Sequence, residues 1–229
     1  MGRGSSKSTG GGGKSVTSVT TQDGTVLNLS KTPLVYGSND PYVTGAQRSG
    51  TEAQEQKRLT AKIEYGVMYD KNGNVVQQEF KGGKGSVGVP HTVINTPGGV
   101  FTHNHPRGKG EEGQLGGTFS SADLRTFENN RFMTIRASAA EGTYSLSKTL
   151  NFNKQGFTNY VKSVQSQAKA KQKAANNQLG NDWGSGKINY KQYLQARTNV
   201  FNTFLIDVHN GLLAGQKQYG YSYTLEART

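Results

Sequence analysis

The chain has 229 residues, room for one or two domains, and its 27 Lys and Arg against 15 Asp and Glu give a formal net charge of +12. Apolar residues make up 32% and glycine fills 31 positions, about twice its usual share of ~7%, so part of the chain is not expected to pack. No window nears the ~20 apolar residues of a membrane-spanning helix and the start MGRGSSKSTGGGG has no signal-peptide core, which sets aside membrane and ordinary Sec-exported classes; without cysteine, any metal must sit on His and carboxylate ligands.

Residues 1–40 carry 4 basic against 2 acidic side chains, residues 41–150 carry 13 against 10, and residues 151–229 carry 10 against 3. The middle segment is balanced like an ordinary folded domain, and any electrostatic role toward anionic partners falls to the last third.

Residues 1–22 are Gly, Ser, Thr and Lys with little to bury, and read as disordered. From Asp23 to Gly50 short β-prone pieces, Thr25-Val26-Leu27 and Leu34-Val35-Tyr36, are broken by Gly, Asn and Pro, as in a loop or loose edge element. Thr51-Glu52-Ala53-Gln54 has the spacing of a capping box and predicts a helix to about Ile63. YGVMYD and NVVQQEF flank Lys71-Asn72-Gly73-Asn74, a β-hairpin with Asn-Gly at its tip. Val100 to Thr102 reads as a short strand ending in His103-Asn104-His105-Pro106, followed by a Gly-rich loop from Arg107 to Gly117.

Ser120 or Ser121 is a good N-cap for a helix to about Glu128, after which RFMTIRAS alternates as a strand and Glu141-Gly142-Thr143 turns it back into TYSLS. Beyond Asn153 the period becomes helical: Phe157, Tyr160, Val161 and Val164 share one face, and the series from Tyr190 to Leu212 another. Two helices are expected, broken at Gly180 to Gly186, with a terminal strand near Tyr219 to Tyr223. The chain thus divides into a flexible leader (1–40), a folded domain (41–150) and a basic helical extension (151–229).

Two of the four histidines, His103 and His105, are one residue apart at the end of a predicted strand, where that spacing sends both rings to one side. Two imidazoles and one carboxylate form the three-ligand set of a catalytic zinc site, and Asp123, at the start of the next helix, is the natural third ligand. Glu64, ahead of the hairpin, can accept a proton from activated water, with Glu79 as the alternative base. His91 reads as a loop residue, His209 and Asp207 do not face one another, and Gly82-Gly83-Lys84-Gly85 lacks the ending of a phosphate loop, so none joins the site.

Glu64, His103-Asn104-His105-Pro106 and Ser120-Ser121-Ala122-Asp123 in that order resemble the JAMM (MPN) metallopeptidase family with its bacterial RadC-type and phage-encoded relatives, over roughly residues 51–150. The resemblance implies an α+β fold with a mixed sheet flanked by helices, zinc on His103, His105 and Asp123, Glu64 as general acid and base, and Ser120 donating to the oxyanion. It also implies a protein or peptide substrate and a bacterial cytoplasmic or phage-particle setting. The loop before Ser120 is expected to gate the site. The alternative is a non-catalytic structural or nucleic-acid-associated phage or mobile-element protein that uses the basic C-terminal segment on nucleic acid.

Overall fold

The computed structural model describes residues 14–16, 18–20, 26–28, 34–36, 39–83, 85–90, 95–106 and 113–227. Among them β1 (Lys14–Val16) pairs with β4 (Leu34–Tyr36) and β2 (Ser18–Thr20) with β3 (Val26–Asn28) as two small antiparallel ladders. The main sheet holds β5 (Tyr65–Tyr69), β6 (Val75–Lys81), β7 (Val100–Asn104), β8 (Thr134–Ser138), β9 (Gly142–Lys148) and β10 (Tyr221–Ala227) in the order β10-β9-β8-β7-β5-β6. Only β7 and β8 run parallel within it, so the sheet is mixed and the fold α+β. Helices are α1 (Gly45–Lys57), α2 (Ser121–Asn129), α3 (Lys154–Gly184) and α4 (Tyr190–Tyr219). No helix of the described residues is long and apolar enough to cross a membrane.

Strand alternation divides the sheet into two unlike faces. Phe101, Ile135, Tyr144, Leu146, Tyr221 and Leu225 point to one side, where they share a core with Phe127 of α2, Phe157 and Val161 of α3 and Leu212 of α4. The α4 glycines let α3 approach closely: a Cβ on Gly211 would stand 2.4 Å from Val164, and one on Gly215 would stand 2.3 Å from Tyr160. The opposite face is polar and lies under α1. There the buried Arg136 donates to Glu55 of α1 (2.7 Å) and Glu226 of β10 (2.9 Å), Thr102 donates to Glu55 (2.8 Å), and Ser145 and Ser147 donate to Asp40 (2.8 and 2.6 Å). Burial works against the Arg136 charge, but the two carboxylates outweigh it and hold the pKa above its ordinary value. Each buried polar group there would be costly alone, so the network folds as a unit.

Several expectations need correction. The first helix starts at Gly45, capped by Thr44, whose hydroxyl accepts from Gln47 N–H (3.3 Å) while Gln47 returns a bond to the Thr44 backbone (3.1 Å). Both Thr44 and Thr51 have a Gln three residues on, but Gln47 also donates to the carbonyls of Asp70 (2.9 Å) and Gly98 (3.0 Å), so tertiary contacts select the earlier cap. Thr51 is buried inside the helix, its hydroxyl donating to the Arg48 carbonyl (3.0 Å).

The leader does not stay clear of the core. Leu34 is fully buried in it, and the Val35 carbonyl accepts from His209 (2.9 Å); residues 1–13 lie outside the described residues. Residue 150 is no packing boundary either, because β10 pairs along β9 from Lys148 to Gly142 and α3 and α4 complete the apolar core. Helix α3 runs through Gly180 to Gly184, where one exposed glycine costs only about 1 kcal/mol, and the break falls at 185–189.

Candidate metal centre

A parallel strand pair needs a crossover, and the one from β7 through α2 to β8 carries the candidate ligands. His103 and His105 leave the end of β7 on the same face, and the ring of Phe101 stacks on His103 at 5.4 Å. Asp123 comes from the first turn of α2 and is fixed by a capping box: its N–H donates to Ser120 Oγ (3.2 Å), and Ser120 N–H donates to its Oδ2 (2.8 Å). The carboxylate then meets both histidines, Oδ1 lying 3.2 Å from His103 Nε2 and Oδ2 lying 3.6 Å from His105 Nε2. The two Nε2 atoms are 3.1 Å apart. His103, His105 and Asp123 thus form a group that could hold a metal ion, with one ligand atom from each inside 4.8 Å.

The donor chemistry fits a cation. A tetrahedral ion with ligands at about 2.0–2.1 Å sets neighbouring ligand atoms about 3.3 Å apart, close to the separations found. His105 Nδ1 lies 3.1 Å from the Gly117 carbonyl, which can only accept, so the proton of a neutral ring sits on Nδ1 and the Nε2 lone pair faces the centre. His103 Nδ1 is buried with no hydrogen-bond partner among the described residues, so no second polar partner on that nitrogen orients the ring, and Phe101 packing and the Nε2 contacts hold it. Burial raises Asp123, but the charges and hydrogen bonds of His103 and His105 prevail and hold it well below the usual carboxylate range.

Glu64 extends the β5–β6 ladder, its N–H donating to Gly83 O and its carbonyl accepting from Gly82 N–H, both at 2.8 Å. Gly66 pairs with His103, so the even spacing puts Glu64 on the histidine face. Burial raises its pKa and Asp123 adds to the rise, against the pull of His103, His105 and the N–H of Val87. Asn104 lies between the histidines on the opposite face and holds the Glu64 segment to β7: Oδ1 accepts from Tyr65 N–H (2.8 Å) and Nδ2 donates to the Ile63 carbonyl (3.1 Å).

A cleft of about 390 Å³ opens from Glu64, His105 and Ser120 toward Phe119, and toward Phe204 and Val208 of α4. Ser120 is exposed at its rim. Because Ser120 Oγ takes the Asp123 N–H with a lone pair, its own proton stays free to donate.

The loop expected to gate the site is pinned over its last five residues. Leu115 N–H donates to Asn202 of α4 (2.8 Å), Asn202 Nδ2 donates to the Gly113 carbonyl (3.1 Å), and the N–H groups of Gly116 and Gly117 both donate to Glu141 (2.9 Å each). Gly117 has φ +84, a left-handed conformation that favours glycine, and a Cβ there would stand 2.7 Å from the Leu205 side chain of α4. Residues 107–112 lie outside the described residues.

Glu79 does not line the cleft: Arg58 Nε donates to it at 2.6 Å and stacks on Tyr65 at 3.8 Å, and that hydrogen bond holds Glu79 below the usual carboxylate range. His209 is a buried structural residue between Val35 O and Tyr223 Oη (2.8 Å). His91 and Lys84 lie outside the described residues. Sequence reasoning missed Glu141 and Asn202, which no motif marks; the role of Asn104 is signalled by its odd position between two same-face residues. Compared with protein-family models, curated proteins and solved structures, the chain matches none.

Proposed function

We propose that this protein is a zinc-dependent hydrolase of peptide or isopeptide bonds, with a site of the JAMM kind. The observation that carries the reading is the convergence of His103 Nε2, His105 Nε2 and the Asp123 carboxylate, with the His105 tautomer set by Gly117 O. His103, His105 and Asp123 would hold the ion. Bound zinc supplies Lewis acidity, polarising a carbonyl and acidifying water. Glu64, raised above the ordinary carboxylate value and lining the same cleft, takes the proton from water and delivers it to the leaving amine, so the hydroxyl ends on the carbonyl carbon and the hydrogen on nitrogen. The free Ser120 proton donates to the oxygen on which negative charge develops. The cleft has room for a few residues of an extended chain, with Phe204 and Val208 against its apolar side chains.

Elemental analysis after incubation with zinc is expected to find about one zinc per chain, and a His103→Ala/His105→Ala double variant to lose it. Glu64→Gln is expected to keep zinc and lose cleavage of a mixed peptide library read by mass spectrometry. Zinc at the wild-type level in the double variant sinks the metal centre, and unchanged cleavage by Glu64→Gln sinks the assigned base.

A further inference from the structure

Helices α3 and α4, of 31 and 30 residues, form an antiparallel hairpin about 45 Å long, and most of its far half is exposed. At its tip Trp183 stacks on Tyr193 (4.7 Å between centroids, 26° between planes) and lies 6.1 Å from Tyr190. These rings are not sealed off: Trp183 is 46% exposed and Tyr190 60%, with Leu194 beside them at 43%. Arg197 lies 5.8 Å from the centroid of Tyr193.

The surroundings are cationic. Between residues 169 and 197 the chain carries six basic side chains and one acidic. The acid, Asp182, is paired with Lys187 (3.1 Å), and Lys171 is paired with Asp207 (3.1 Å). Lys169, Lys173, Lys191 and Arg197 make no ion pair with a described residue. Lys169 and Lys173 flank a shallow groove along α3 with Ser166, Asn176 and Asn177, and Lys169 lies about 21 Å of helix before Trp183.

We infer that the hairpin binds single-stranded nucleic acid, bases stacking on Trp183 and Tyr190 while Lys169, Lys173, Lys191 and Arg197 neutralise phosphates. Sequence-tolerant single-strand binding needs ring platforms beside a cationic track, and this surface has both. A protein partner fits less well, because the three half-exposed apolar side chains offer roughly 300 Å², far below the ~800 Å² per side of a stable interface. A duplex keeps its base faces stacked and cannot use the rings. The inference uses none of the metal ligands, although Lys169 also borders the cleft beside them, and the His103→Ala/His105→Ala variant is expected to bind as the wild type does.

Trp183 is the only tryptophan of the chain, so its emission reads the contact directly. An unlabelled oligothymidylate of about 20 nucleotides, titrated into the full chain, is expected to quench that emission, and a fluorescein-labelled one gives affinity by anisotropy. Trp183→Ala is expected to weaken binding by about tenfold or more, with Trp183→Phe recovering most of it, while far-UV circular dichroism stays unchanged. Lys169→Ala/Lys173→Ala/Lys191→Ala should reduce the slope of log affinity against log salt by up to about 2. Absence of binding, unquenched emission at saturation, or wild-type affinity in Trp183→Ala overturns the inference. So does polyglutamate binding as tightly as the oligonucleotide, which would mark an acidic-protein site, or a dimer in sedimentation that Trp183→Ala abolishes, which would mark a second copy of the chain.

Discussion

Asn104 stands between the two histidines yet faces the other way, and its amide is what ties Glu64 to the strand that carries them. Replacing it with alanine leaves the Tyr65 N–H and the Ile63 carbonyl unpaired in a largely buried place, at a cost of about 1–3 kcal/mol. We expect Asn104→Ala to lower denaturant stability by that amount and to cut peptide turnover while zinc content stays near the wild-type level. Equal losses of zinc and turnover would instead make Asn104 a support for the ligands themselves. The H-x-H spacing was legible because side chains alternate along a strand. The clasp was not, since it depends on which chain lies next to β7.

At the scale of elements, the site is a junction of the β7–α2 crossover, the β8–β9 turn and α4. Glu141 sits in that turn and accepts from Gly116 N–H, Gly117 N–H and the Tyr144 hydroxyl (2.6 Å), which orients the Gly117 carbonyl toward His105. Glu141→Gln keeps the shape but offers one carbonyl where two oxygens had accepted. Outer partners of metal ligands commonly contribute 10–100-fold to affinity, so we expect zinc affinity, measured by chelator competition, to fall by about tenfold with every ligand in place. Unchanged affinity would show that Asn202 alone holds the loop. The Ser120 cap and Asp123 were readable as a local pattern, S-x-x-D, because a capping box involves only neighbours in sequence.

The described residues share one core, which β4 near the start of the chain and β10 at its end help to close. A chain ending at Leu150 loses β10, the α3 and α4 cover and the Glu226 partner of Arg136, leaving a buried guanidinium half-paired. We expect it to show no cooperative thermal transition; a sharp one would restore the boundary at residue 150. His209 adds a pH dependence. Burial lowers its pKa to about 4, against the Val35 carbonyl, while the unfolded chain titrates near 6.5. As pH falls through about 6.5 the unfolded state takes up the proton first, so stability declines from there to about pH 4, by about 3 kcal/mol in total. In urea unfolding between pH 7 and 4, His209→Gln should remove that part of the decline, and an unchanged decline would assign it to other groups.

The residue pattern alone determined the hairpin at Asn72-Gly73, the capped helix at Ser120, the return strand after Glu141 and the two long C-terminal helices, because turn chemistry, caps and hydrophobic period act over a few neighbours. It also placed His103, His105 and Asp123 in one candidate set. What only the tertiary structure decided is which of two equal caps starts α1, that Leu34 and β10 belong to the core, that the β8 guanidinium is buried between two carboxylates, and that α4 holds the loop beside His105. Each of these turns on groups up to 186 residues apart, as between Asp40 and Glu226. Such a contact forms only when burial makes an unpaired polar group costly, and burial is a property of the packed chain rather than of any segment of it.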